Sequence, residues 1–402
     1  MTNTPPFAGE GARRVRLGDI ASVKAGNVAP KKGLFSERGI PFVRAGSLSR
    51  LLDGESPRSL ERIDKMTADK LGMQLFPEGT ILFAKSGMSC MTGNVYVLKE
   101  PCYVVSHLAC VAIDNTELTL YLKHYFRWNK PNALVENPSF PSIRLGKIKD
   151  MEIRLPDARQ IARWVSTLER IEGLMETHEH QLSLLDDLVK SRFVEMFGDP
   201  SDNSRNYQVV SIGEILSVQP SNGLYKPQKD YVTDGSGVPI IRIDSFNEEG
   251  PNYSALKRLN CTQKETEKYG LRDGDIVVNR VNSIGCMGKT MLIDHLPEVV
   301  VFESNMMRMH VEESTMFPRF LRHQMTSDYA KRYFESHAKK AIGQASINQA
   351  DVKGLKVLVP PYVDQKSFLD FAAEVDKSRF VVQKQIEKLQ ALYDSLAQEY
   401  FG

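Results

Sequence analysis

Two long stretches of the chain carry apolar side chains at every seventh position. The first runs through Ile161, Leu168, Met175, Leu182 and Val189, and the second through Phe368, Val375, Val382, Leu389 and Leu396. In the first stretch further apolar residues follow members of the repeat at Trp164, Ile171 and Leu185. This is the spacing of the a and d positions of a coiled coil. It predicts two long helices, over 157–198 and 362–402.

The region before each predicted helix follows a different pattern. Short β-branched runs, among them Ile40–Val43, Thr80–Phe83 and Val95–Leu98, are separated by glycine, proline and aspartate. They predict strands in a mixed α/β (α+β) globule. One globule is expected over 13–156 and a second over 208–361, with a flexible N-terminus at 1–12 and a polar linker at 199–207.

The chain also contains an internal repeat, in which segments recur in the same order about 195 to 205 residues later. The matched pairs are Val15–Val23 with Val210–Val218, Gly39–Leu48 with Gly237–Phe246, Glu78–Gly87 with Asp273–Asn282, and Ser142–Pro156 with Ser346–Pro360. The repeat predicts two similar domains related by a pseudo-twofold. Their helices either pack each on its own globule or pair antiparallel. The length of the helices favours pairing, which would hold the globules at opposite ends of a stalk.

The charge balance limits what these domains are expected to bind. The 52 basic and 50 acidic residues leave a formal net charge of +2, so an affinity for nucleic acid has to come from locally placed cations. The five cysteines are an odd number and lack the spacing of a zinc knuckle, which predicts reduced thiols inside the cell. Because the first residues contain no signal peptide or membrane span, the chain is expected to be cytoplasmic.

Three patterns resemble parts of enzyme sites but lack essential residues. GCMGKT at Gly285–Thr290 ends like a phosphate-binding loop, but Ser283 stands where the first glycine is required. NPSF at Asn137–Phe140 resembles an amino-methyltransferase motif without its second proline. His178 and His180 face different sides of a predicted helix, with no further ligand at suitable spacing. These patterns predict no catalytic centre, no metal and no cofactor on this chain.

Polar and basic side chains recur in both halves at two places where loops are expected. The first place holds Lys85, Ser86, Ser89, Thr92 and Asn94 in one half and Asn279, Arg280, Asn282, Ser283 and Lys289 in the other. The second place holds Asn137, Ser139, Ser142 and Arg144, and in the other half Lys339, Lys340, Gln344, Ser346 and Asn348. Such groups read base edges and hold phosphates, or they simply belong to hydrated loops. Recurrence at matching places favours DNA contact.

Two arginines, Arg44 and Arg242, also recur, in strand-like surroundings. They are candidates for DNA binding, but an arginine in a strand equally pairs with a carboxylate. The sequence leaves both interpretations open.

In its repeat, helices and motifs the chain resembles the specificity subunits of type I restriction-modification enzymes. The resemblance spans the chain. It rests on RLGDI, EGTILFAKSG, DGDIVVNRVNSIG, SIRLGKIKDMEIRLPDARQI, SINQADVKGLKVLVPPYVDQK and LLDDLVKSRFVEMFGDP. It implies two target-recognition domains that each read one half of a split, asymmetric site in double-stranded DNA. It also implies docking of two modification (adenine methyltransferase) subunits and of motor-nuclease restriction subunits. S-adenosylmethionine, ATP and magnesium are then expected on those partners only.

Two other functions fit the same features. An orphan DNA-binding adaptor of another phage-defence or modification system would share this architecture but serve different partners. A coiled-coil scaffold with two protein-binding globules would lack salt-dependent DNA affinity.

Overall fold

A computed structural model describes residues 13–199, 201, 203–246, 250–283, 286–341 and 344–402. The chain divides into two compact units, unit 1 up to His180 together with Gln383–Gly402, and unit 2 over Gln181–Val382. The predicted flexible segment 1–12 and two positions of the predicted linker, 200 and 202, lie outside the described residues. Each long helix is therefore shared between the two units.

Unit 1 combines short strands with helices. Its strands are β1 (Arg13–Arg16), β2 (Ser22–Ala25), β3 (Ile40–Val43), β4 (Arg62–Ile63), β5 (Leu75–Phe76), β6 (Ile81–Ala84), β7 (Val95–Val97), β8 (Cys102–Val104), β9 (Leu108–Ala112) and β10 (Glu152–Leu155). Its helices are α1 (Leu17–Ile20), α2 (Ser47–Leu52), α3 (Lys65–Lys70), α4 (Thr116–Trp128), α5 (Leu145–Lys149) and the first part of α6 (Ala158–Phe197).

The strands of unit 1 form two four-stranded sheets, in the orders β2-β9-β6-β7 and β4-β3-β8-β5, and an antiparallel pair of β1 with β10. All four residues of β6 are buried, as expected for a strand with both faces covered. Helix α4 is capped by Asn115, whose side chain accepts a hydrogen bond from the Leu118 N–H at 2.8 Å.

Unit 2 contains the second set of elements. Its strands are β11 (Gln208–Ser211), β12 (Leu216–Asn222), β13 (Tyr231–Val232), β14 (Val238–Ile241), β15 (Lys257–Leu259), β16 (Ile276–Asn279), β17 (Val281–Asn282), β18 (Thr290–Leu292), β19 (Val301–Phe302), β20 (Met306–Val311), β21 (Lys339–Ala341), β22 (Gln344–Ser346) and β23 (Lys356–Val359). Its helices are α7 (Gln263–Tyr269), α8 (Pro318–Met325), α9 (Asp328–His337), α10 (Gln349–Gly354) and the first part of α11 (Tyr362–Phe401).

One four-stranded sheet and the terminal strand pair of unit 2 match those of unit 1, whereas the second sheet has the order β13-β15-β14-β19 and differs from β4-β3-β8-β5 at its outer strands. The order β12-β20-β16-β18 repeats β2-β9-β6-β7, and the pair β11 with β23 repeats β1 with β10. Both units contain a parallel strand pair, β3 with β8 and β14 with β19. Among the described residues, only unit 2 adds the three-stranded sheet β17-β22-β21. The predicted fold class and internal repeat are thus confirmed.

Within each unit the two long helices run antiparallel to each other. In unit 1 the start of α6 meets the end of α11, where Trp164 stacks on Tyr400 with ring centroids 4.6 Å apart. In unit 2 the end of α6 meets the start of α11, where the rings of Phe193 and Phe368 lie 5.4 Å apart. The same helices also pack on the globules, since Phe320 of α8 lies 5.6 Å from Phe193. The long helices therefore pack both against each other and on their own globules, the two arrangements that the sequence left open.

The residues of the predicted helix seam differ in burial along its length. Those near the globules are buried: Ile161, Leu168, Met175, Val189, Phe368 and Val375. The others are half-buried: Leu182, Val382, Leu389 and Leu396. None of the helices in the described part of the chain has the length and apolarity needed to cross a membrane.

Candidate nucleic-acid interface

The two polar stretches predicted in the first half meet at the carboxyl end of β6, an inner strand of the β2-β9-β6-β7 sheet. Ser86, just after β6, forms an antiparallel bridge with Ser142. The Ile143 N–H donates to the Lys85 carbonyl at 2.7 Å, and the Gly87 N–H donates to the Pro141 carbonyl at 3.0 Å. Residues distant in sequence thus form one continuous surface, which we call the unit 1 edge.

The corresponding stretches of the second half meet in the same way. Val281 pairs with Ser346 and Asn282 with Ala345, and the Ile347 N–H donates to the Arg280 carbonyl at 3.0 Å. Strand β21 extends this unit 2 edge and places Lys339 and Lys340 on it, both exposed.

The cations at the two edges are mostly unpaired. Across the described residues, no carboxylate oxygen lies within 4 Å of the side-chain nitrogens of five of them, Lys85, Arg144, Lys289, Lys339 and Lys340. A cation without an internal partner retains its charge for an anionic ligand, and a duplex presents a regular array of phosphates. Because the net charge of the chain is small, affinity for DNA would require locally placed cations, and both edges contain them.

Arg44 and Arg242 differ from these cations because each has carboxylate partners within its unit. Arg44 Nε lies 2.7 Å from Glu61 Oε2, and its guanidinium also sits over two phenylalanine rings. Arg242 Nε lies 3.5 Å from Glu303 Oε2, and burial raises the pKa of the Glu303 carboxyl. The carboxylate pairing that the sequence left open is therefore present for both arginines, while their contact with DNA stays a prediction.

Asn279 has to be removed from the predicted interface. Its side chain is only 2% exposed, because every residue of β16 is buried and β16 has β20 on one side and β18 on the other. Its Oδ1 has no hydrogen-bond partner in the described part of the chain. It belongs to the interior beneath the unit 2 edge.

Several predicted polar residues are engaged locally. Asn348 caps α10 by accepting from the Ala350 and Asp351 N–H groups at 2.7 and 3.1 Å. Asn94 donates to Ser49 Oγ at 3.0 Å, and Ser86 Oγ lies 2.7 Å from His107 Nδ1. Four others lie at the edges with partly or fully exposed side chains, Ser89, Ser139, Ser283 and Gln344.

The structure adds exposed residues that sequence reasoning missed. Phe140 is 80% exposed and Met88 72% exposed on neighbouring segments of the unit 1 edge. Tyr225 is 79% exposed just after Gly223, whose N–H donates to Met306 at the start of β20. Apolar side chains at such a surface suit contacts with thymine methyl groups.

A pair of equivalent glycines in the sequence, Gly26 and Gly223, indicates that the segment before Tyr225 lies close against a neighbouring strand. At each, a Cβ atom would lie 2.3 Å from backbone carbonyl oxygens of the neighbouring strand segment, so only glycine fits. The two glycines are shifted relative to each other when the sequences of the two halves are aligned. The cause is that β12 contains two register irregularities, between Leu216 and Val218 and between Val218 and Ser221.

A cluster in unit 1 has residue types that bind metals but is already neutralised by side-chain cations. His124 Nε2 lies 2.8 Å from Glu169 Oε1, and Glu172 completes the set. Lys123 Nζ lies 2.6 Å from both glutamates, and Arg127 also contacts Glu172. The hydrogen bond with His124, together with Lys123, lowers the pKa of Glu169 to about 2 despite partial burial. The cluster ties α4 to α6 by ion pairs.

Comparison with known proteins matches both halves of the chain to one family model. The model is described as the type I restriction modification DNA specificity domain, and it matches residues 10–184 and 204–391. The chain is 21% identical over 348 residues to the StySPI specificity subunit of Salmonella potsdam, and 22% identical over 352 residues to the EcoKI specificity subunit of Escherichia coli. Each alignment covers 82% of this chain and 74% of the relative.

A third relative is the putative MjaX specificity subunit of Methanocaldococcus jannaschii, 27% identical over 197 residues. The chain spans 45% of that relative's length. Among solved structures, the S subunit of a type I system from M. genitalium aligns over 100% of this chain and 99% of its own, with a TM-score of 0.51 and 12% identity. A chain from a structural study of type I R-M complex assembly aligns equally fully, with a TM-score of 0.53 and 16% identity.

Proposed function

The chain belongs to the family of type I restriction-modification DNA specificity subunits, and from that premise we propose that it reads a split, asymmetric DNA site with one unit on each half. The observation that carries this proposal is the pair of edges. Each unit joins two distant polar stretches into one surface, by the same backbone hydrogen bonds.

The two edges share a backbone framework but differ in side chains. Ser86, Gly87 and Met88 of unit 1 correspond to Val281, Asn282 and Ser283 of unit 2. Base discrimination depends on the donors, acceptors and apolar groups presented to base edges. Different side chains on the same framework therefore support two half-sites of different sequence.

On this proposal the chain supplies recognition and its partners supply the chemistry. The relatives are named specificity subunits of type I enzymes. Methyl transfer to adenine from S-adenosylmethionine is assigned to two modification subunits, and ATP- and magnesium-dependent work to motor-nuclease restriction subunits. The chain itself is proposed to hold no cofactor.

The long helices offer a surface for docking the modification subunits. Large apolar side chains are exposed along both of them, at Leu174, Leu184, Leu188 and Val194 on α6 and at Phe380, Val381 and Leu392 on α11. Within unit 2, Leu184 and Leu188 lie one helical turn apart on α6, and exposed apolar pairs of this kind support a protein–protein contact. Both residues lie on the helix and outside the unit 2 edge.

The proposal is tested by co-expressing the chain with a type I modification (adenine methyltransferase) subunit from the same organism and mapping methylated adenines across the genome. We expect one split site whose two parts differ in sequence. Methylation at a single continuous site would contradict the two-reader proposal. If the complex showed no salt-dependent binding to DNA, the scaffold alternative would be favoured. If it bound DNA specifically but the methyltransferase did not methylate the site, the orphan adaptor would be favoured.

A further inference from the structure

Lys85 and Arg280 occupy equivalent places in the two units. The Lys85 N–H donates to the His107 carbonyl, and its own carbonyl accepts from Ile143 at 2.7 Å. The Arg280 N–H donates to the Asn305 carbonyl, and its own carbonyl accepts from Ile347 at 3.0 Å. Each cation therefore follows the central strand of its sheet and is held on both sides by backbone hydrogen bonds.

The surroundings of these two cations keep their charge available. Within the described residues neither has a carboxylate oxygen within 4 Å. In the described part of unit 2, the Arg280 side chain donates from Nη1 to the Ser304 carbonyl, a neutral group, at 3.0 Å. Arg280 also lines a surface cavity of about 300 Å³ together with Asn222, Asn348, Gln349 and Ala350.

The corresponding place in unit 1 is also basic. Arg144 of unit 1 is the counterpart of Asn348, since each directly follows the isoleucine that bonds to the cation's carbonyl. Lys85 thus has a second unpaired cation, Arg144, directly after its backbone partner Ile143. Arg280 instead shares its cavity with amide side chains. Both environments suit an anion that accepts several hydrogen bonds.

A cation preserved where neighbouring residues differ indicates a ligand group that is the same in both half-sites. Bases differ between the halves of an asymmetric site, but the phosphate backbone does not. We propose that Lys85 and Arg280 each hold one backbone phosphate, at equivalent positions in the two half-sites. The neighbouring residues that differ between the edges then read the bases. This inference rests on the proposed function, because it assumes that each unit binds one half-site.

The experiment measures the dissociation constant of the assembled complex, this chain with its methyltransferase partner, for a cognate duplex at several salt concentrations. Lys85→Gln and Arg280→Gln should each lower the slope of log affinity against log salt by about 0.9, the contribution of one phosphate contact. The affinity ratio between cognate DNA and DNA with one substituted base pair should not change. The matched control is Lys377→Gln, which removes a lysine of α11 paired with Glu374, outside both edges, and should leave the slope unchanged.

The exchange variants Lys85→Arg and Arg280→Lys should both keep the slope of the unmodified chain, because a phosphate accepts either cation. Among the described residues the Lys85 side chain makes no hydrogen bond, so Lys85→Gln decides the question even if Arg280→Gln loosens its loop. An unchanged slope in Lys85→Gln, or a loss of discrimination at one base pair, would overturn the inference. If the unmodified complex showed no site-specific, salt-dependent binding, the proposed function itself would fail instead.

Discussion

Replacing Asn282 and Ser283 by alanine should remove base discrimination in one half-site only. The Asn282 Oδ1 accepts from the Ser283 N–H at 2.8 Å, which leaves the Asn282 amide hydrogens free to donate to a base. The backbone of Asn282 pairs with Ala345, and this pairing survives the substitution. A good bidentate contact contributes about 1–3 kcal/mol to discrimination, which corresponds to roughly a 5- to 150-fold change in affinity ratio.

The assay is competition between the cognate duplex and duplexes carrying single base-pair changes in either half-site, using the assembled complex. Asn279→Ala is the matched control, because Asn279 is buried two residues before Val281 and is not on the unit 2 edge. It should leave discrimination at both half-sites intact, because the Asn279 side chain is only 2% exposed. Equal loss of discrimination in both half-sites, or an effect of Asn279→Ala on specificity, would refute the reasoning.

Three further predictions concern packing, charge and the helices. Gly288→Ala should destabilise unit 2 by about 2–5 kcal/mol in chemical denaturation, because the position has φ +72° and a Cβ would lie 2.1 Å from the Phe334 ring. Gly93→Ala should cost less, because the position has a similar φ of +68° but a Cβ would come no nearer than 2.9 Å to the Asn132 side chain and 3.2 Å to Lys130 Cβ. The pKa of Glu169 is lowered from 4.5 to about 2, so its contribution to stability is complete above pH 4.5 and is lost as the pH falls towards 2. The thermal unfolding temperature of Glu169→Gln should therefore depend less on pH in that range than that of the unmodified chain. An unchanged pH dependence would contradict the ion-pair assignment. Inserting four residues after Leu185 lengthens α6 by about 6 Å and should lengthen the spacer of the methylated site by about one or two base pairs, whereas an unchanged spacer in an active complex would show that the helix does not set it.

The periodicity of the chain predicted its long helices closely. The seven-residue repeat indicated helices over 157–198 and 362–402, and the structure has them at Ala158–Phe197 and Tyr362–Phe401. The bounds agree because prolines precede both helices and an Asp157 side chain accepts from the Gln160 N–H at the start of α6. Local signals of this kind are visible in sequence.

Features that depend on distant residues were not visible in sequence. Asn279 has the polar character of a loop residue but lies in a strand covered on both faces. Arg44 pairs with Glu61, and Arg242 with Glu303, through contacts that no local pattern indicates. The meeting of the two polar stretches was likewise hidden, because Ser86 and Ser142 are joined only by tertiary structure.

The central claim, that each unit reads its own half-site, is tested most directly by exchanging one reader. Residues 208–361 would be replaced by the corresponding segment of the Salmonella potsdam relative, and methylated adenines would be mapped for the complex with its methyltransferase partner. The account predicts that one half-site changes to a new sequence while the other stays as it was. A change in both half-sites, or in neither, would contradict it.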